Sequence, residues 1–231
     1  MITVVNKSTR CTDADVLTMT RACATQVQKH AAPAWGVLPI PVVYAASEKE
    51  APPGAWVIAV LDDPDQADAL GWHTESEGEL IFGRVFAAPV LDNGGTVLKG
   101  SLSVSAVLSH EVLETLVDPH VNLWADDGTG TLYALEVADP VESDSYEINV
   151  PGAGAVSVSN FVTPRWFDRQ AGKHQQFDWL DKVTTPFHMT KGGYVVTSAA
   201  GKIQQLFGAQ YPEWRKHTKI ADTSRSARRK K

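Results

Sequence analysis

Ser109-His110-Glu111-Val112-Leu113-Glu114-Thr115-Leu116-Val117-Asp118-Pro119 reads as the second half of a helix carrying His-Glu-x-x-Glu. The helix opens at Ser101 or Ser103. Its apolar positions are Val104, Val107, Leu108, Val112, Leu113 and Leu116, and Asp118-Pro119 stops it. His110 and Glu114 are four residues apart, so the helix turns them to within about 40° of one face. A neutral imidazole beside a carboxylate can hold one divalent metal. Glu111, on the flank of the same helix, is placed to take a proton from a metal-bound water. The plainer alternative makes His110 a hydrogen-bonded core histidine and puts Glu111 and Glu114 on a solvated helix face.

Upstream, residues 2–6 form a short β-like run. Thr12 or Asp13 caps a helix over 13–30, periodic in Val16, Leu17, Thr20, Cys23, Ala24 and Val27, and Pro33 ends it. Residues 41–45 and 55–61 predict strands, the second a buried one, with Pro52-Pro53-Gly54 turning between them. Residues 62–69 read as a polar loop. Residues 80–87 read as a third strand with Gly83 a candidate bulge, and Asp92-Asn93-Gly94-Gly95 as a turn.

Downstream, 124–130 reads as a polar loop. Its Asp126-Asp127-Gly128-Thr129-Gly130 has the wrong acid spacing for a calcium loop and is a polar turn. Residues 133–139 fit a helical turn or a short strand. After Pro140 the texture becomes β and loop, at 146–150, 156–158 and 193–197; 203–211 fits a final strand or a short helix.

The 231 residues are 43% hydrophobic and 21% charged, which suffices for one large domain or two small ones. The net charge of −6 is unevenly spread. Residues 215–231 hold eight of the 21 Lys/Arg and one of the 27 acids, so the first 214 carry 13 basic and 26 acidic side chains, a net of −13. An acidic body is a poor nucleic-acid binder. The basic tail has little apolar content and reads as disordered. It is either a solvated charge run or an arm that docks on nucleic acid or an acidic protein surface.

Cys11 and Cys23 are twelve residues apart in or beside the first predicted helix, about 18 Å along it. That is too far for a bridge, so they read as free thiols of a reducing compartment. The N-terminus lacks the pattern of a signal peptide, and the longest clean apolar run, 55–61, is too short to span a bilayer. The expectation is a soluble, cytoplasmic protein with no membrane partner. His73, His174 and His188 are scattered and read as surface residues.

The order strand, helix, three strands, helix and carboxylate-bearing segment, taken with His110-Glu111-x-x-Glu114, resembles the zincin metallopeptidases. In those enzymes a helix presents His-Glu-x-x-His under a mixed sheet. The chain looks most like a group of bacterial and phage zincin-like proteins with Ser-His-Glu-x-x-Glu, then Asp-Pro, then Glu-x-x-Asp. The last element is here Glu136-Val137-Ala138-Asp139. The resemblance covers roughly residues 1–140.

It implies an α+β fold. A zincin-like mixed sheet with an active-site helix would occupy 1–140, and a β-rich C-terminal portion over 141–214 would close one side of the cleft. The basic disordered tail would be 215–231. The resemblance makes His110 the first metal ligand and Glu111 the general base. Glu114 stands where zincins have their second His. Glu136 matches the third ligand and Asp139 a partner of the His110 imidazole, two roles that are exchangeable. Strand 79–88 would be the substrate-binding edge.

His120 has the spacing of the third ligand in the metzincin branch, but Val117 stands where that branch has Gly. Asp118 lies about 12 Å along an unbroken helix from His110, which suits a turn-forming Asp before Pro.

The implied activity is that of a metal-dependent hydrolase, a zinc metallopeptidase acting on a peptide or protein. Glu114 makes the site harder and more negative than two imidazoles would. That lowers the Lewis acidity of zinc and admits manganese, iron or calcium. The rival reading is a non-catalytic phage virion protein, part of a larger assembly, that keeps the zincin scaffold and its metal for stability. A nucleic-acid-associated protein acting through the tail is a third.

Overall fold

The computed structural model describes residues 1–65, 69–76, 78–172 and 174–216. The fold is α+β. A five-stranded mixed sheet is built from β1 (Ile2–Asn6), β2 (Val42–Ala45), β3 (Trp56–Leu61), β4 (Gly71–Glu75) and β5 (Ile81–Phe86), in the order β2-β1-β3-β5-β4. The first four of these in space run parallel, and β4 pairs antiparallel with β5 at one end. Parallel neighbours need crossovers, and α1 (Asp13–Gln26) supplies the one between β1 and β2. Ile2, Thr3, Val4 and Val5 of β1 are all buried, as a run with parallel neighbours on both sides should be.

Thr12 caps α1. Its hydroxyl accepts from the Asp15 amide at 3.1 Å, and the Asp15 carboxylate accepts from the Thr12 amide at 3.0 Å. The helix does not stop before Pro33. A π-helical turn, Val27–Ala31, leads into α2 (Ala32–Trp35), which ends on Gly36 at φ 65°. Pro33 lies in the first turn of α2, where a missing N–H costs little.

Two expectations about the sheet fail. Residues 71–75 form a strand, β4, and it is β4 that ends the sheet. The 79–88 segment contributes β5, which lies inside between β3 and β4, so it is not the edge strand. Gly83 is not a bulge either. Its register is unbroken on both sides, and a Cβ there would meet Trp72 O at 3.2 Å and Ile58 Cγ1 at 3.3 Å. Close packing rather than an extra residue accounts for the glycine. After β5 the chain makes a short helix, α3 (Ala87–Asp92).

The His-Glu-x-x-Glu segment lies in α4 (Val104–Val117), capped by Ser103, whose hydroxyl accepts from the Ala106 amide. All residues from Val104 to Thr115 are buried, so α4 has no solvated face for Glu111 and Glu114. Such a helix must satisfy its polar side chains internally. Ser105 donates to Ser157 O at 2.7 Å, and Ser109 accepts from the Ser159 amide.

Those partners belong to a hairpin of β8 (Ser145–Val150) and β9 (Gly154–Ser159), which packs on α1 and α4. Ile148, Val150, Val156 and Val158 of the hairpin share one core with Val4, Val16, Met19, Leu108 and Val112. Leu113, the next residue of α4, points into a second core with Val137, Phe161, Trp166, Phe177 and Val195.

A four-stranded antiparallel sheet, in the order β11-β10-β7-β6, is built from β6 (Trp124–Asp126), β7 (Thr131–Ala134), β10 (Tyr194–Ala199) and β11 (Lys202–Phe207). The polar loop expected over 124–130 therefore begins as a strand. Its tip is the polar turn: Asp127 accepts from the amides of Thr129 and Thr131. Cys11 and Cys23 are both buried free thiols. Among the described residues no helix is long and apolar enough to cross a membrane. Arg215 and Lys216 are described, and the rest of the basic tail, 217–231, lies outside the described residues.

Candidate metal centre

The helical period places His110 and Glu114 on successive turns of α4. The His110 Nε2 lies 3.1 Å from Glu114 Oε1 and 3.1 Å from Asp139 Oδ1. Asp139 arrives from the far side of the chain, at the start of a 3-10 turn (Asp139–Val141) that follows β7. Its position is held by Pro140 in that turn and by a hydrogen bond with Tyr194 of β10. His110, Glu114 and Asp139 are 7%, 4% and 3% exposed, a depth at which unpaired charge is strongly disfavoured. The three offer ligand atoms within 4.8 Å of one another, a group that could hold a metal ion.

A second histidine joins them. His73, expected at the surface, is 4% exposed on the inward side of β4. Its Nε2 lies 3.1 Å from Asp118 O, and a carbonyl can only accept, so this nitrogen carries a proton. Nδ1 is thereby turned to Glu111 Oε2 at 3.4 Å and to Glu114 Oε2 at 3.7 Å. His73, Glu114 and Glu136 form a second group with metal-ligand spacing. His174 and His188 are exposed, as expected.

Glu111 stands beside His73 and against the sheet edge. A Cβ on Gly71 would come within 2.6 Å of Glu111 Oε1. His120 belongs to neither group; it is half-exposed and pairs with Glu75 at 3.0 Å. Asp118 has the turn role: its carboxylate accepts from the amides of Asn122 and Leu123 at 3.0 Å each.

The electrostatics follow from burial and crowding. For His73, burial opposes the charged form, but Glu111, Glu136 and Glu114 outweigh it and hold the imidazolium pKa up to about 9. For His110, burial again opposes charge, and Glu114 with Asp139 pushes the pKa well above the ordinary value. Glu114 is raised well above the usual carboxylate range, first by burial, against His110, and further by Asp139 and Glu136. Asp139 is raised too, chiefly by burial. In metal-free protein the cluster therefore holds on to protons.

Three observations fit a divalent metal here. Neighbouring ligands of a tetrahedral metal with bonds of about 2.0–2.2 Å lie about 3.3–3.6 Å apart, and the two 3.1 Å N···O separations are a few tenths of an ångström shorter, so a small opening of the group would admit an ion. The buried oxygens Glu111 Oε2 and Asp139 Oδ1 each face an imidazole nitrogen, His73 Nδ1 at 3.4 Å and His110 Nε2 at 3.1 Å. The donor set is imidazole and carboxylate with no thiolate, which suits zinc, manganese, iron or nickel.

The centre opens on a cavity of about 310 Å³, at the lower end of the usual range for ligand sites. One wall is β4 and α4. Tyr194, Gln205, Tyr211, Trp214 and Arg215 also line the cavity. Arg215 pairs with Glu142 and lies over the Tyr211 and Trp214 rings. The C-terminal sheet and the segment after it thus cover one side of the cleft.

His73, Tyr194 and Arg215 escaped the sequence reading. Gly71-Trp72-His73-Thr74-Glu75 has one large apolar residue and no readable alternation, so the sequence carried no signal for His73. Comparisons with family models, with curated proteins and with solved structures found no match. The zincin likeness accordingly rests on the residues of α4 and of the Glu136–Asp139 segment.

Proposed function

We propose that this chain is a metal-dependent hydrolase, a zinc metallopeptidase that uses His110, Glu114 and Asp139 to hold the metal. The carrying observation is His110 Nε2 at 3.1 Å from both Glu114 Oε1 and Asp139 Oδ1, buried at the floor of a cleft bordered by a terminal sheet strand. A bound zinc supplies Lewis acidity, activating water and polarising a carbonyl.

The chain's own groups do the rest. Glu111 is the base that receives the proton, and its position against Gly71 keeps it at the strand edge where a substrate backbone would lie. β4 ends the sheet, so an extended peptide can add beside it by main-chain hydrogen bonds. Tyr194 steadies Asp139. Asp118 O fixes the His73 ring.

The test is elemental analysis of protein purified without chelator, with His110→Ala beside it, followed by a peptide-cleavage screen that includes Glu111→Gln. About one zinc per chain, lost in His110→Ala, together with cleavage that Glu111→Gln abolishes while keeping the metal, is the expected outcome. No metal in either protein after reconstitution refutes it.

One observation favours a second reading, a non-catalytic virion or interaction protein that keeps a metal for stability. Glu111, Glu114 and Asp139, with Glu136 nearby, surround the two imidazoles, and so much negative charge weakens a metal as a Lewis acid. Metal retention without cleavage in any variant would support it.

A further inference from the structure

The two ligand groups share one residue. Glu114 turns Oε1 to His110 and Oε2 to His73. His110 stands with Asp139 on one side and His73 with Glu136 on the other. The geometry points to a two-metal centre in which the Glu114 carboxylate bridges the ions. The first ion would sit on His110, Asp139 and Glu114 Oε1, the second on His73, Glu136 and Glu114 Oε2. This rests on the metal site proposed above and adds a second position to it.

Three further observations carry it. The first is the tautomer of His73. Donation from Nε2 to Asp118 O leaves Nδ1 as the only ring nitrogen able to coordinate, and Nδ1 is the atom that faces Glu114 and Glu111. Holding the far nitrogen on a backbone carbonyl is how proteins orient a ligating imidazole. Second, Glu111 is 4% exposed, and its Oε2 lies 3.4 Å from His73 Nδ1, the nitrogen that would hold the second ion.

Third, the charges balance. With both imidazoles neutral, Glu111, Glu114, Glu136 and Asp139 carry four negative charges. One divalent ion neutralises two of them and leaves the rest to protons held on the cluster, whereas two ions neutralise all four without protons. Buried charge left unpaired is strongly disfavoured. Carboxylate-bridged pairs of ions about 3.5–4 Å apart are a recurrent arrangement in hydrolases, in which both ions contact one reacting group.

The experiment uses the full chain, stripped of metal, reloaded with zinc and desalted, with metal counted per chain; a parallel sample is loaded with Mn(II) for electron paramagnetic resonance. The expected result is two zinc ions per chain in the wild type, falling to one in His73→Gln. The manganese protein should give an exchange-coupled spectrum that reverts to an isolated six-line signal in His73→Gln. A wild type that binds one zinc, lost in His110→Ala and kept in His73→Gln, overturns the second position and leaves the proposed hydrolase centre intact. A wild type that binds none overturns both. The wild-type stoichiometry and spectrum decide the matter even if His73→Gln fails to fold.

Discussion

Metal-free protein should lose stability as pH rises from 6.5 to 8.5, and His73 sets the size of the loss. Its folded pKa is about 9, against about 6.5 for an unperturbed histidine. A raised folded pKa means that the native state binds more protons than the unfolded state between those values. The contribution is full below the unfolded pKa and is lost as pH climbs through the folded one. Two pH units across that window amount to about 2–3 kcal/mol. His110 and Glu114 are shifted in the same direction and deepen the loss. Stopping at pH 8.5 keeps clear of the buried thiols of Cys11 and Cys23, which burial also pushes up.

The assay is urea unfolding in a chelating buffer at several pH values, with the slope against denaturant held common. His73→Gln, whose amide can still reach Asp118 O, should flatten the dependence. Zinc-loaded protein should show the opposite slope, because metal binding expels the same protons. Metal-free stability that is flat or rises from pH 6.5 to 8.5 would refute the account of a proton-holding carboxylate cluster.

Gly71→Ala forces a Cβ to within 2.6 Å of Glu111 Oε1 and 2.9 Å of its Cγ. It should cost about 1–3 kcal/mol by displacement of Glu111, while zinc bound through His110 is retained; equilibrium unfolding and metal analysis check both. Leu113→Ala empties a fully buried position at the junction of α4 and the second core. A loss of about 2–5 kcal/mol is expected in the same unfolding experiment. Asp62 is partly exposed. Burial opposes its charge, but hydrogen bonds from Ser8, Thr9 and Arg10 hold its pKa down to about 2. Asp62→Asn should cost about 1 kcal/mol at neutral pH, after allowance for solvent screening. A depressed carboxylate stabilises above its unfolded pKa of about 3.9 and loses that stability as pH falls towards 2, so thermal melts of variant and wild type should converge there.

Local rules carried the sequence reading a long way. Helical period alone brings His110 and Glu114 together, because residues four apart share a face whatever surrounds the helix. Caps narrowed to Thr12 or Asp13 and to Ser101 or Ser103, of which Thr12 and Ser103 serve, the stop at Asp118-Pro119 and the turn role of Asp118 follow from side-chain to backbone hydrogen bonds within a few residues. The strands at 2–6, 41–45 and 55–61 were legible from short β-branched or apolar runs, within a residue or so at their ends. Glu136 and Asp139 were named from a motif, but nothing in the sequence told which of them meets His110 and which meets His73.

What lay beyond the sequence was non-local pairing. Whether a strand is an edge depends on which segments pair beside it, and β5 looks the same in sequence with or without β4 on its flank. Single strands of five residues carry too few alternations to say which side faces inward, so His73 read as a surface residue until pairing with β5 turned it towards α4. The burial of α4 on all sides likewise depends on the β8–β9 hairpin reaching across to it. The sequence by itself determined one helix and the two residues it brings to the candidate centre, because hydrogen bonds four residues apart are a local matter. Tertiary structure alone decided that a histidine some forty residues upstream faces the other oxygen of Glu114, because that contact exists only once the sheet has closed over the helix.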